Sequence, residues 1–217
     1  MNRFHAVTIV AFAFLGMAFS PSGFAKPTPD VEYKLINPPQ PVAGKGVEVL
    51  EFFNYACSHC YDFEPLLKSW LKSKPKDVEF RYVPAVFNER MLPLAKTYYA
   101  LEELGWLDKL HDSVYEAVHE KHLNLADRGV MIKWITEQGV DAKKFEASYD
   151  SFSVDSKAQR AGQLTRNYRI TATPYVVVAG KYQTAPSLTL RADGNVDPNR
   201  FFQVLNDLVI MGRSGAK

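Results

Sequence analysis

The fold is decided by the stretch Val47-Glu48-Val49-Leu50-Glu51-Phe52-Phe53-Asn54-Tyr55-Ala56-Cys57-Ser58-His59-Cys60, in which an apolar run ends at two cysteines. Residues 47–53 are apolar on both alternating sets of positions, apart from two glutamates, which predicts a strand covered on both faces. Glu51 is therefore expected to be buried. Apolar residues then recur at helical spacing from Phe63 to Leu71, which predicts a helix over 58–73 that begins beside Cys57.

The two cysteines, the only ones among 217 residues, are spaced for thiol chemistry. A helix N-terminus carries unpaired N–H groups and a partial positive charge, and both favour the thiolate of Cys57. We expect His59, between the cysteines, to favour the same charged form through a hydrogen-bond donor or a positive charge. Cys60 lies one turn further on and can displace whatever is attached to Cys57. Cys57 is thus the predicted nucleophile, and Cys60 the more buried, resolving thiol.

At these residues the chain resembles the thioredoxin superfamily and, within it, the DsbA family of bacterial thiol:disulfide oxidoreductases. Three features fit the superfamily: an acid six residues before the first cysteine (Glu51), an aromatic directly after the second (Tyr61), and a proline eight residues after the first (Pro65). Phe52-Phe53 and Phe63-Glu64 resemble DsbA in particular.

The resemblance implies an α/β protein, a thioredoxin fold with an inserted all-helical domain. It also implies a periplasmic enzyme that donates its Cys57–Cys60 disulfide to newly exported proteins through a mixed disulfide at Cys57. Reduced exported proteins would be its substrates and a membrane quinone-linked reoxidant of the DsbB type its partner, with no metal or organic cofactor. Ser58 stands where DsbA proteins usually carry proline, which bears on the redox potential more than on the reaction type.

Two further features are expected at the site. The apolar surroundings and the superfamily pattern favour Glu51 as a buried acid whose pKa is raised by desolvation and which exchanges protons with Cys60; the alternative is a strand-edge carboxylate facing water. Thr173-Pro174 precedes a predicted strand at Tyr175. X–Pro bonds are usually trans, but the resemblance implies a cis-proline packed against the cysteines. The Thr173 backbone would then be free to pair with an extended substrate segment.

The first 25 residues predict a cleaved secretory signal. Arg3 precedes an apolar stretch over 6–19, and Gly23-Phe24-Ala25 resembles a small-x-small cleavage site. About 14 apolar residues are too few to span a bilayer comfortably. We therefore expect export to the periplasm, with Lys26 as the first residue of the mature protein.

The remaining sequence divides by its pattern. Five helical stripes separate the first β-α-β unit from a hairpin of two strands at 175–178 and 181–184, and Asp141 is the expected cap of the fourth helix. Asp197-Pro198 opens a last helix. The predicted regions are a signal (1–25), an extended proline-rich lead-in (26–46), a thioredoxin-like domain (47–88 and 168–211) and a helical insertion (89–167).

Composition and residue spacing also bear on other possible functions and on the oligomeric state. A net charge of +2 gives no indication of nucleic-acid binding, and the short lead-in leaves no room for an N-terminal dimerisation domain, so we expect a monomer. A zinc site of the two cysteines with His119 and His122 is disfavoured by the long separation of the pairs. Other activities stay open: a periplasmic disulfide reductase or isomerase using the same thiols, or a non-catalytic, chaperone-like binder of unfolded exported chains.

Overall fold

The protein is represented by a computed structural model that describes residues 25–42 and 44–214. Apart from Ala25, the predicted signal segment lies outside the described residues. Within those ranges, no helix is both long and apolar enough to cross a membrane.

A five-stranded mixed sheet lies at the centre of the described residues. Its strands are β1 (Lys34–Leu35), β2 (Val47–Phe53), β3 (Val78–Pro84), β4 (Tyr175–Val178) and β5 (Tyr182–Thr184). Their order in space is β1-β5-β4-β2-β3, with β2 parallel to β3 and antiparallel to β4. The predicted strand over 47–53 is confirmed at both ends, and all seven of its residues are buried.

Helices cover both faces of the sheet, which explains why β2 is apolar on both sides. On one face Val49 packs with residues of α1 (Ser58–Ser73) and α7 (Pro198–Ser214). On the other, Leu50 and Phe52 pack with residues of α6 (Phe152–Asn167) and of the segment after it. Since alternate residues of a strand share a face, Glu51 lies on the side of α1. The predicted helix over 58–73 is confirmed at both ends.

Five helices lie between β3 and β4, as predicted. Three begin at polar caps, because the side chains of Asp127, Asp141 and Ser151 each accept a hydrogen bond from a backbone N–H three residues later. The cap at Ser151 starts the fifth helix at Phe152, whereas the sequence pattern predicts a start at Val154. In addition to α6, the helices are α2 (Leu92–Glu103), α3 (Leu107–His119), α4 (Arg128–Glu137) and α5 (Ala142–Tyr149).

Two regions contribute to the sheet beyond the predicted thioredoxin-like segments. The lead-in supplies β1, which pairs antiparallel with β5. From the helical region, Ala161 of α6 packs beneath Leu50 and Phe52. The predicted boundary between the helical insertion and the thioredoxin-like domain, at residue 167, therefore assigns α6 to the insertion although this helix covers the sheet.

The predicted hairpin is confirmed, and its turn fixes the lead-in. Ala179 and Gly180 both have positive φ, 51° and 63°, as a tight two-residue turn requires. Gln40 donates its N–H to the Gly180 carbonyl at 2.9 Å. A Cβ on Gly180 would lie 2.2 Å from the Gln40 carbonyl oxygen, so the close approach of the two segments requires glycine here.

Candidate active site

Cys57 is positioned by the turn that joins β2 to α1. The Asn54 side chain accepts a hydrogen bond from the Ala56 N–H at 2.8 Å, and the Asn54 carbonyl accepts one from the Cys57 N–H at 2.9 Å. Cys57 is the N-cap of α1, with extended backbone angles and no side-chain hydrogen bond to the helix. Its sulfur thus stands where a capping oxygen usually lies, beside free N–H groups.

The surroundings of Cys57 favour its thiolate. Its pKa is lowered to about 5, chiefly by a hydrogen bond from the Cys60 thiol; the Thr173 side chain and the backbone N–H groups of Cys60 and His59 lower it further. Partial burial acts in the opposite direction. Cys57 is half-buried, so an incoming thiol can reach the sulfur. At neutral pH it is therefore a charged, accessible nucleophile.

Cys60 has the opposite character. It is 1% exposed, and burial raises its pKa far above the ordinary value. The Cys57 sulfur raises it further, and so does Glu51 when its carboxyl group is ionised. The Cys60 thiol is neutral at physiological pH and cannot attack until a base removes its proton. One accessible thiolate beside one buried thiol is the arrangement that a nucleophile and a resolving cysteine require.

Glu51 is buried on the same side of the sheet as α1, with 1% exposure. Desolvation raises its pKa well above the usual range, and the nearby Glu64 and Cys57 charges raise it further. Its Oε2 atom has no hydrogen-bond partner among the described residues. A carboxyl group held in its neutral form beside Cys60 has a proton that it can give to a buried thiolate.

His59 differs from the sequence expectation in the way it reaches Cys57. Its backbone N–H lowers the pKa of the thiol, whereas its side chain is exposed and lines a cleft in front of the helix. The favourable effect at this position therefore comes from the helix start, which any residue with an N–H would provide. A role for the imidazole itself stays a prediction.

Thr173 and Pro174 lie next to Cys57 in the fold, although Thr173 follows it by 116 residues in the sequence. The Cys57 thiol donates to the Thr173 carbonyl at 3.3 Å, and the Thr173–Pro174 peptide bond is cis. Both residues line a cleft of about 530 Å³ with His59 and apolar side chains that include Leu66. The structure thus brings His59, Thr173 and Pro174 to the two cysteines. The sixth predicted site residue, Glu51, is buried.

The sequence alone indicated no role for a second buried acid, Glu64, or for the buried His111. They are 3% and 4% exposed, on α1 and α3 respectively. The spacing held a signal for the first, because Glu64 follows Cys60 by four residues and so lies on the same face of the helix. For His111 the signal was its place beside Leu110 in an apolar stripe of α3. Among the described residues there is no cluster of three or more His, Cys, Asp or Glu that could hold a metal ion.

Comparison with known proteins agrees with this geometry. A family model described as "DSBA-like thioredoxin domain" matches residues 48–206. The chain is 42% identical over 183 residues to the "Thiol:disulfide interchange protein DsbA" of Bordetella parapertussis, covering 84% of this chain and 85% of the relative. It is 38% identical over 188 residues to the protein of the same name from Burkholderia cepacia, with 85% of each chain covered.

Solved structures give the same result for the fold. The crystal structure of Pseudomonas aeruginosa DsbA superimposes with a TM-score of 0.79 at 32% identity, covering 87% of this chain and 96% of that one. The oxidoreductase NmDsbA3 from Neisseria meningitidis superimposes with a TM-score of 0.73 at 33% identity, covering 87% and 98%. The predicted fold class, a thioredoxin fold with inserted helices, is confirmed.

Proposed function

Because the chain belongs to the DsbA family, the DSBA-like thioredoxin domain proteins, we propose that it oxidises the dithiols of exported proteins, with Cys57 as nucleophile and Cys60 as resolving thiol. The enzyme is a thiol:disulfide oxidoreductase. The roles of the individual residues are proposed from the geometry of the site, and the reoxidant is proposed because each turnover leaves the enzyme reduced.

The reaction begins with the disulfide form of the enzyme. A substrate thiolate attacks the Cys57 sulfur, the Cys57–Cys60 bond breaks, and Cys60 departs with the electron pair. The Cys60 thiolate is buried and takes up a proton, for which the neutral Glu51 carboxyl is the adjacent donor. The substrate is now joined to Cys57 through a mixed disulfide.

A second substrate thiolate completes the reaction by attacking the substrate sulfur of the mixed disulfide. Cys57 departs as a thiolate and remains one at neutral pH, since its pKa is about 5. The substrate has lost two electrons and two protons to become a disulfide. Glu51 regains from solvent the proton that it gave to Cys60, so the net result is one proton on Cys60 and one proton released to solvent. The enzyme is left as the reduced pair.

The observation that carries the direction of the reaction is the contrast between the two sulfurs. A low pKa makes Cys57 a good leaving group and stabilises the reduced enzyme, so the disulfide is readily given up. Reductases need the reverse, a reduced form that readily gives electrons away. The geometry therefore supports an oxidase over a reductase or isomerase.

The cleft beside the sulfurs supports the proposed partners. It exposes the backbone next to Pro174 for an extended chain, and its apolar residues Leu66, Leu190 and Val196 can hold side chains without selecting a sequence. Related proteins bear the name thiol:disulfide interchange protein DsbA, and the signal predicted at 1–25 supports export of this enzyme to the periplasm, where it would meet exported proteins. A quinone-linked membrane protein of the DsbB type is the proposed reoxidant, since each turnover leaves the enzyme reduced.

Peptide oxidation tests the proposal directly. The oxidised protein should convert a dithiol peptide to its disulfide in a stoichiometric burst, and catalytically once an oxidant is supplied. Cys57→Ser should abolish the burst, whereas a chaperone-like binder would still hold unfolded chains and lose nothing. In a parallel insulin-reduction assay we expect little activity; strong reduction of insulin with weak peptide oxidation would favour the reductase instead.

A further inference from the structure

Strand β3 forms one end of the sheet, and its pairing with β2 decides which of its backbone groups face outward. Where the pairing begins, the Val47 N–H donates to the Asp77 carbonyl at 2.8 Å. Where it ends, the Ala85 N–H donates to the Phe53 carbonyl at 2.7 Å. A parallel ladder between these two bonds uses the odd-numbered residues of β3. The even-numbered residues therefore direct their N–H and C=O groups away from the sheet.

These outward groups are bonded at the start of β3 and open in its middle. The Val78 N–H donates to the Pro75 carbonyl at 3.0 Å, and Lys74 Nζ donates to the Val78 carbonyl at 2.6 Å. The outward N–H and C=O groups of Phe80 and Tyr82 have no partner among the described residues. An edge with free groups of this kind can accept a further strand.

A cavity of about 430 Å³ lies along this open edge, between β3 and the helices α2 and α6. Sites for ligands commonly have volumes of about 300–1,000 Å³ and mostly apolar walls. Aromatic and aliphatic side chains form much of the wall here: Phe80, Tyr82, Val83, Tyr98, Tyr99, Ala161 and Leu164. The free backbone groups are thus next to a surface on which apolar side chains can pack.

The charged groups in the wall leave one cation unbalanced. Arg81 is paired with the buried Glu48, and Lys157 is paired with Glu102 at 2.8 Å. Arg160 is exposed on α6 and forms no ion pair within the described ranges. A carboxylate is therefore the group that complements the charge of this cavity.

We propose that the open edge of β3 is a docking site for an extended peptide segment in which acidic and apolar side chains alternate. The backbone of the segment bonds to the free groups of Phe80 and Tyr82, its apolar side chains contact the aromatic wall, and a carboxylate pairs with Arg160. A second copy of this chain is disfavoured as the occupant. Pairing two β3 edges would bring the like-charged Arg81 and Arg160 side chains of the two copies together.

The docking edge and the cysteines are connected through the sheet. Phe53 and Pro84 are register partners where β2 and β3 end, and Cys57 follows Phe53 by four residues. One end of a segment held along β3 therefore points to the edge of the sheet that carries the sulfurs. Holding a chain there raises the effective concentration of its thiols at Cys57. This effect on the reaction rests on the proposed function, whereas the binding itself does not.

A cysteine-free probe tests the binding. The probe is a blocked hexapeptide of alternating valine and aspartate, and fluorescence anisotropy of a dye-labelled form follows its binding to the oxidised protein. Amide hydrogen exchange, measured by NMR, locates the contact. With the free peptide at about nine times its Kd, exchange of the Phe80 and Tyr82 N–H groups should slow about tenfold. Exchange at Arg81 and Val83, whose N–H groups are already bonded to β2, should not change.

Matched variants separate strand addition from attraction between charges alone. A peptide that is N-methylated at its interior amides keeps its side chains and charge but cannot donate from its backbone, and it should bind at least about tenfold more weakly. Arg160→Glu should weaken binding of the unmodified peptide about fivefold, as expected for a strong exposed ion pair. Lys133→Glu on α4 changes the net charge equally, at an exposed residue that does not line the cavity, and should leave binding unchanged.

Three results would overturn the inference: no binding of the valine–aspartate peptide, unchanged exchange at Phe80 and Tyr82 when it binds, or equal binding of the N-methylated form. A kinetic assay then tests the effect on the reaction. Linking the acidic segment to a dithiol peptide should lower the KM for its oxidation without changing kcat, and Arg160→Glu should remove that gain. An unchanged KM would contradict the effect on the reaction. Failure to oxidise either dithiol peptide would instead overturn the proposed function.

Discussion

Reduction of the Cys57–Cys60 disulfide should change the stability of the protein in a direction that depends on pH. Reduction has two opposing effects on the free energy of unfolding. Reduction removes the constraint that a disulfide places on the unfolded chain, and it creates a thiolate that the folded site stabilises. Because the pKa of Cys57 is about 5 in the folded protein, the second effect is large.

The two effects are close to balance at neutral pH. On the chain-entropy account, closing a four-residue loop stabilises the oxidised form by about 2 kcal/mol. Lowering a thiol pKa from about 8.5 to about 5 stabilises the reduced form by about 2.7 kcal/mol at pH 7, before any correction. Since Cys57 is half exposed, we discount this by about a quarter for solvent screening, to about 2 kcal/mol. The same discounted effect is about 3 kcal/mol at pH 8.5 and well below 1 kcal/mol at pH 5.

The sign follows from a folded pKa that lies below the unfolded one. The stabilisation of the reduced form is complete above the unfolded value near 8.5 and is lost as the pH falls through about 5. We therefore expect the reduced form to be the more stable at pH 8.5, the two forms to be within about 1 kcal/mol at pH 7, and the oxidised form to be the more stable at pH 5.

Urea unfolding of both forms at these three pH values measures the difference, with reduced samples kept under a thiol-free reductant. Cys57→Ala is the control, since it has neither disulfide nor Cys57 thiolate and should change with pH as the oxidised form does. Parallel stability curves for the two wild-type forms from pH 5 to 8.5 would refute the reasoning. Parallel curves would mean that folding does not lower the Cys57 pKa. The argument that the enzyme acts as an oxidase rather than a reductase would then lose its support.

Three substitutions at the site give further predictions. Cys60→Ser should accumulate disulfide-linked adducts with exported proteins through Cys57, because the nucleophile remains and the resolving thiol is gone; non-reducing gels without adducts would contradict the assigned roles. Pro174→Thr should prolong these mixed disulfides by altering the cleft wall beside the sulfur, and unchanged lifetimes in a chase with free thiol would remove Pro174 from the site. Glu51→Gln should slow the attack of Cys60 on a mixed disulfide by at least about tenfold at pH 7, whereas an unchanged stopped-flow rate would exclude the carboxyl as its proton partner. The same change should raise the free energy of unfolding at pH 7, because the raised pKa of buried Glu51 destabilises the fold above the unfolded-state value near 4.3, and the gain should vanish as the pH falls to that value.

Local signals in the sequence predicted the part of the fold that carries the cysteines. The apolar run over 47–53 and the helical spacing after Cys60 each depend on neighbouring residues, so β2 and α1 were found with correct ends. The cap at Asp141 was equally local, because its side chain bonds to the N–H of Lys144. The lead-in that contains β1 was predicted only as an extended segment, since the partner strand β5 lies at the other end of the chain.

The features that escaped prediction depend on contacts between distant elements. Glu64 and His111 become neighbours only when α3 packs against α1, and no spacing within either helix indicates that packing. Likewise, the sequence does not show whether His59 acts through its imidazole or its N–H, because that depends on which way the chain turns at Cys57. Thr173 was placed beside Cys57 by family resemblance alone.

The contact between Cys57 and Thr173 has a consequence for biosynthesis, because 116 residues separate them. At about 5–20 residues per second, a ribosome needs on the order of 6–23 seconds to add that length of chain. Throughout this interval β2 lacks its antiparallel neighbour β4, and the cleft in front of the sulfurs does not yet exist. Both cysteines then belong to an unfinished domain and are open to any oxidant or thiol they meet. An enzyme that supplies disulfides to other chains thus passes through a stage in which its own thiols need protection from them.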